Sequence, residues 1–196
     1  MNQMTADQHK VLFVCIHNSA RSQMAEAFLR QHGGDAFVSE SAGLEPGKLN
    51  PNVVAVMKEI GIDISGRPTQ AVQDLFDKGR QYDAVITVCD KEAAERCPIF
   101  PGRVKRIAWS FKDPSGFKGS PEEVLEHTRK VRDEIEATIK VADPQATGCI
   151  GGKGSDIAIA EHRAAAFEHM LPTEGVRKHA VKPIARDCEY CIARCE

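Results

Sequence analysis

The stretch from Lys10 to Ser22, KVLFVCIHNSARS, constrains the fold more tightly than any other part of the chain. Val11-Leu12-Phe13-Val14 is a short, uninterrupted, β-prone run, so it reads as a central strand of a parallel sheet, buried on both faces. From Ala20 to Arg30 the apolar residues return at helical spacing. Ile16 to Ser19 must then form a tight loop between a strand's carboxyl end and a helix's amino end, where open α/β sheets bind ligands. Several backbone N–H groups in such a loop lack helical partners and point into one concavity, which suits a tetrahedral oxyanion.

The side chains of that loop carry matching chemistry. The positive environment favours a thiolate at Cys15, which makes it a nucleophile. Arg21 can clamp two oxyanion oxygens with a planar guanidinium, and Ser22 can donate a hydrogen bond to the sulfur. The expected cradle is Ile16, His17, Asn18, Ser19, Ala20, Arg21 and Ser22. Taken singly, Cys15 reads as a small buried hydrophobe and Arg21 as a solvated helix residue. A strand, Cys-x5-Arg-Ser and a helix start in succession are far rarer, and the conjunction favours catalysis.

The rest of the chain supplies an α/β scaffold. Ala36 to Gly43 reads as a second strand ending in a glycine turn. Pro51 to Gly61 reads as a packing helix, with Asn50 as N-cap, Pro51 in the first turn and Gly61 as the stop. A polar helix is expected over Thr69 to Lys78, and strands over Tyr82 to Val88 and Val104 to Phe111. Pro121 to Val141 closes the core as a long helix, with Ser120 as N-cap and Glu122 and Glu123 in its first turn. The expected domain spans residues 1–141: about four strands in a mostly parallel sheet, flanked by helices.

Two further thiols, Cys89 and Cys97, bracket the helix-prone polar segment DKEAAER. Eight helical residues at about 1.5 Å rise separate their ends by roughly 12 Å, whereas a disulfide needs Cα atoms within about 7 Å. If the two pair, the helix must unwind. Taken alone they are two buried thiols flanking a short helix. Asp113-Pro114 follows a strand, and an Asp there can reach an oxyanion over Cys15 as general acid; the plainer reading is an Asp-Pro turn.

The motif Cys15-x5-Arg21-Ser22, with Asn18 in the loop and Ser41-Ala42-Gly43 later, resembles the low-molecular-weight protein tyrosine phosphatase superfamily. His17 stands where that family usually has Gly, so its backbone is expected to need an angle that His tolerates. Within the superfamily, Cys15, Val88-Cys89-Asp90, Cys97-Pro98, Trp109 and Asp113-Pro114 look like the thioredoxin-coupled arsenate reductases, over about residues 10 to 141. That resemblance implies attack of Cys15 on arsenate, a Cys15–Cys89 disulfide as arsenite leaves, transfer of the bridge to Cys89–Cys97, and reduction by thioredoxin. It implies no cofactor for the core reaction. Many such relatives have one residue fewer between the second and third cysteines. Some bind potassium behind the loop, and Asn18, Glu26 and Ser41 match part of that site. The alternatives are phosphate-monoester hydrolysis by Cys15, Arg21 and Asp113 alone, as in the tyrosine phosphatases, and a thiol or metal sensor.

Composition narrows the partners. A net charge of -2 over 196 residues, with no aromatic-rich basic stretch, argues against nucleic acid. The polar start MNQMTADQHK and the short first apolar run argue against a signal peptide or membrane span, so a cytoplasmic location is expected. Seven cysteines without an export signal fit redox catalysis or metal ligation better than a disulfide framework. Residues 142–154 read as a Gly-rich linker, and 155–196 as a cysteine-bearing C-terminal extension with helical pattern from Asp156 to Leu171. Cys188, Cys191 and Cys195 suggest a zinc or iron site, with Cys149, His162, His169 or His179 as a fourth ligand. A redox relay and incidental thiols remain open beside it.

Overall fold

The computed structural model describes residues 8–142. Four strands, β1 (His9–Cys15), β2 (Phe37–Gly43), β3 (Ala84–Thr87) and β4 (Lys105–Ala108), form one sheet in the order β2-β1-β3-β4. Every pairing is parallel. The chain leaves β1 to one side for β2 and returns to its other side for β3, so the sheet switches direction at the carboxyl end of β1. Ligands of open α/β sheets bind in such a crevice.

Strand β1 is central because its apolar run satisfies both faces. Val11, Phe13 and Cys15 enter a cluster with α1 (Arg21–His32), α2 (Pro51–Glu59) and α5 (Pro121–Ala142), through Phe28, Met57 and Ile135 among others. Leu12 and Val14 enter a second cluster, on the opposite face, with Val72 and Leu75 of α3 (Val72–Asp77) and with Cys97 and Phe100. Full burial of side chains such as Phe13 and Leu12 stabilises the fold by about 1.5–3 kcal/mol each.

The helix ends follow their capping residues. Asn50 accepts from the Asn52 N–H at 2.9 Å, Pro51 opens α2, and Gly61 leaves the helix with φ +82°. Ser120 and Glu123 form a reciprocal capping box at α5: the Ser120 N–H donates to the Glu123 carboxylate at 2.7 Å, and the Glu123 N–H donates to Ser120 Oγ at 3.3 Å.

Two expected helices are shorter than the sequence pattern. α3 begins at Val72, not Thr69, because the preceding residues bond elsewhere: Thr69 Oγ1 donates to the Gly47 carbonyl and the Gln70 N–H to Asn18 Oδ1. Between Cys89 and Cys97 only α4 (Lys91–Glu95) is helical, so less helix stands in the way of pairing than the spacing suggests. The linker and C-terminal extension, with Cys149 and the cysteines at 188, 191 and 195, lie outside the described residues. No helix among the described residues is long and apolar enough to cross a membrane.

Candidate active site

The loop after β1 wraps the Cys15 sulfur. The Asn18 N–H donates to Sγ at 3.1 Å, and Ser22 Oγ lies 3.0 Å from it. No side-chain cap closes the amino end of α1, so its first-turn N–H groups remain available to an anion beside the thiol.

Asn18 holds the loop's shape. Its backbone takes φ +51°, the one non-glycine positive φ among the described residues. The left-handed residue is therefore Asn18, whose short polar side chain tolerates it, and not His17 as the family's glycine suggested. The fully buried Asn18 amide donates to Ser22 Oγ at 3.0 Å and Ser41 Oγ at 2.9 Å, and accepts from the Gln70 N–H at 3.0 Å and Gln23 Nε2 at 3.3 Å. On the loop's other side, the N–H groups of Leu44, Glu45, Gly47 and Asn50 donate to the carbonyls of Cys15, Ile16, His17 and Ser19. That lacing requires Gly43, where a Cβ would lie 2.8 Å from the Asn18 nitrogen.

Arg21 is buried, and its Nη1 donates to the Phe111 carbonyl at 3.1 Å while Nη2 bridges Asp113 Oδ2 at 2.8 Å. Its buried Nε has no hydrogen-bond partner. A desolvated guanidinium N–H without an acceptor is costly, and an oxyanion oxygen over Cys15 fits it. The other Asp113 oxygen accepts from the Ser115 N–H, which fixes the Asp-Pro turn beside the arginine. The fold thus brings Cys15 and Ser22 together in the loop and sets Asp113 on Arg21 at its helix end.

Cys89 follows β3 at the same end of the sheet. The pairing Val14↔Thr87, continued by the Val88 N–H on the Val14 carbonyl at 2.8 Å, sets it next to the loop. Burial pushes its thiol up to about 11; Arg21 opposes this, while the sulfurs of Cys15 and Cys97 and the Asp90 carboxylate add to it. Cys89 therefore lies within electrostatic reach of both other cysteines. Cys97 is buried in the cluster on the far face of the sheet, which raises its thiol too, with Arg106 opposing. All three thiols are free. The first and third belong to clusters on opposite faces of the sheet, and the second sits at its carboxyl end.

Some participants have no local sequence signal. Gln23 and Gln70 brace Asn18, and Glu45 ion-pairs Arg96 while its backbone ties down Ile16 and His17. Glu26 accepts from Ser41 Oγ at 2.6 Å and pairs with Arg30 at 2.8 Å and Arg67 at 3.5 Å. Two guanidiniums already neutralise that carboxylate, so the residues matching part of a potassium site do not suit an added cation. No group of three or more His, Cys, Asp and Glu among the described residues is placed to hold a metal ion.

Comparison with known proteins agrees with this geometry. Residues 10–143 match the family described as low molecular weight phosphotyrosine protein phosphatase. The chain belongs to that family. Among curated relatives, an arsenate reductase of Bacillus subtilis is 43% identical over 130 residues, covering 66% of this chain and 91% of that protein. One of Bacillus licheniformis is 44% identical over 132 residues, with the same coverage. A solved arsenate reductase in an oxidized state superposes with TM-score 0.55 at 33% identity, over 68% of this chain and 95% of that one. A thioredoxin-dependent arsenate reductase of Corynebacterium glutamicum gives TM-score 0.50 at 27% identity, over 72% of this chain and 66% of that one.

Proposed function

We propose that this family member is an arsenate reductase that works through three thiols. The observation that carries the reading is Cys89, buried at the sheet's carboxyl end within electrostatic reach of Cys15 on one side and Cys97 on the other. Ester hydrolysis needs no such thiol. The arsenate reductases among the relatives support the substrate.

In the first step arsenate lies over Cys15, its oxygens on the loop N–H groups and the Arg21 Nε–H. The thiolate adds to arsenic and one oxygen leaves as water, with Asp113 or solvent supplying the proton. Cys89 then attacks the Cys15 sulfur. The sulfur–arsenic bond breaks with its electron pair going to arsenic, which falls from the pentavalent to the trivalent state and departs as arsenite. The two electrons come from the two sulfurs, now joined as Cys15–Cys89. Cys97 attacks Cys89, Cys15 leaves as thiolate, and the bridge becomes Cys89–Cys97 without net oxidation. A dithiol of the thioredoxin class returns the two electrons, a reading supported by the thioredoxin-dependent arsenate reductase of Corynebacterium glutamicum among the similar structures. Such a cycle suits the reducing cytoplasm.

The test is a single turnover without reductant. One equivalent of arsenate should yield one equivalent of arsenite, with peptide mapping showing first Cys15–Cys89 and then Cys89–Cys97. Phosphate-ester hydrolysis with no arsenite formed would overturn the reading in favour of the phosphatase. A zinc or iron site at Cys188, Cys191 and Cys195 is a separate proposal; full-length protein purified without stoichiometric metal would end it.

A further inference from the structure

The third thiol must travel. Cys97 is packed with Leu12, Val14, Val85 and Phe100 on the face of the sheet away from the Cys15 cluster. To reach Cys89, the segment between them has to leave its resting helix. Past the end of α4 the Cys97 N–H donates back to the Ala94 carbonyl at 3.3 Å, and a side chain from the edge strand adds further donors to this turn. Arg106 of β4 donates Nη2 to the Cys97 carbonyl at 3.3 Å and to the Ala94 carbonyl at 3.4 Å. Beneath lies an open cavity of about 360 Å³, between Ala94 and Glu95 of α4 and Val85, Thr87, Arg106 and Ile107 of β3 and β4. The space beside α4 is thus open and not filled by packed side chains.

We infer that Arg106 is a positioning residue for disulfide transfer: it tethers the end of α4 over this cavity and keeps a fixed positive charge beside the resolving sulfur as the helix unwinds. The inference rests on the three-thiol reading and adds a residue to it. Other charged or titratable groups around Cys97 do not replace Arg106. Arg96 is committed to Glu45, Tyr82 ahead of β3 donates to Glu40, Glu95 on the cavity wall carries the opposite charge, and Cys89 contributes only a further thiol. The step itself is balanced: the Cys97 thiol loses its proton to solvent, its sulfur bonds to Cys89, and Cys15 departs with the electron pair of the broken bond. The guanidinium favours the thiolate that attacks, and its hydrogen bonds hold the Cys97 end of the segment against the edge strand.

The test separates charge from tether. Arg106→Gln retains an N–H donor for the carbonyls and removes the charge, whereas Arg106→Lys retains the charge. Arg106 is exposed, so both variants should fold. After one equivalent of arsenate, rapid quenching and peptide mapping follow the two disulfides. The first bridge should form at the native rate in all three proteins. Its conversion to Cys89–Cys97 should slow about threefold or more in Arg106→Gln near neutral pH, with the rate–pH midpoint moved up, and recover in Arg106→Lys. Equal conversion rates and equal pH profiles in native and Arg106→Gln protein would overturn the inference. If the native protein makes no arsenite, the arsenate reading fails, and alkylation of Cys97 by iodoacetamide still decides the role of Arg106. A raised alkylation midpoint in Arg106→Gln, restored by Arg106→Lys, supports it, and an unchanged midpoint overturns it.

Discussion

Replacing Asn18 by Ala tests whether the oxyanion loop is held from behind. The side chain is fully buried and makes four hydrogen bonds, to Ser22, Ser41, Gln70 and Gln23. Ser22 retains Cys15, Ser41 retains Glu26 and Gln23 retains the Pro68 carbonyl, so those losses are net hydrogen bonds. The Gln70 N–H is left with no acceptor, at a cost of about 1–3 kcal/mol, and lost bonds add about 0.5–1.5 kcal/mol each. Alanine at φ +51° costs about 1 kcal/mol more. Because neighbouring terms overlap, the total should be about 3–5 kcal/mol, a large share of an ordinary domain's stability. Asn18→Gly loses the same bonds but accepts the backbone angle, so it should be the more stable of the two. Urea unfolding of native, Asn18→Ala and Asn18→Gly protein measures this, with arsenate turnover reporting whether Ser22 still faces Cys15. A loss below 1 kcal/mol in Asn18→Ala, or Asn18→Ala at least as stable as Asn18→Gly, would refute the reasoning.

Three other perturbations probe separate parts of the account. Gly43→Ala places a Cβ 2.8 Å from the Asn18 nitrogen and the His17 carbonyl carbon, so the loop must shift; phosphate affinity by calorimetry should fall at least tenfold, and an unchanged affinity would contradict the close approach. Cys89 alkylation should rise with pH toward a midpoint of about 11. Since folding raises that thiol, the stability it contributes is present below the ordinary thiol range and is lost as pH climbs toward that value; a midpoint near neutrality would contradict burial as the dominant cause. Asp113→Asn removes the carboxylate paired to Arg21 and should lower formation of the arsenic adduct about 10²–10⁴-fold. Phosphate binding should survive in that variant, and loss of binding alongside rate would assign Asp113 to shaping the pocket.

The parts of the site that could be read from the sequence are those whose causes are local. Val11 to Val14 is apolar on both faces and so had to be a central strand, Cys15-x5-Arg21-Ser22 follows it directly, and Ser120 with Glu123 caps α5 as the pattern requires. Where distant segments compete for the same backbone groups, local pattern fails. Thr69 and Gln70 look helical, yet their bonds go to Gly47 and Asn18 and delay α3 to Val72. His17 drew attention as the residue replacing a glycine, but the loop spends its left-handed backbone one residue later. Arg106 and Glu45 reach the site only through the sheet order and the loop lacing, which no spacing within the chain encodes.

The central claim is that three cysteines act in sequence on arsenate. Its most direct measurement is arsenate-dependent NADPH oxidation, coupled through thioredoxin and thioredoxin reductase. It compares intact protein with Cys15→Ser, Cys89→Ser and Cys97→Ser. The account predicts turnover in the intact protein and its loss in all three variants. Turnover that survives Cys89→Ser would contradict it.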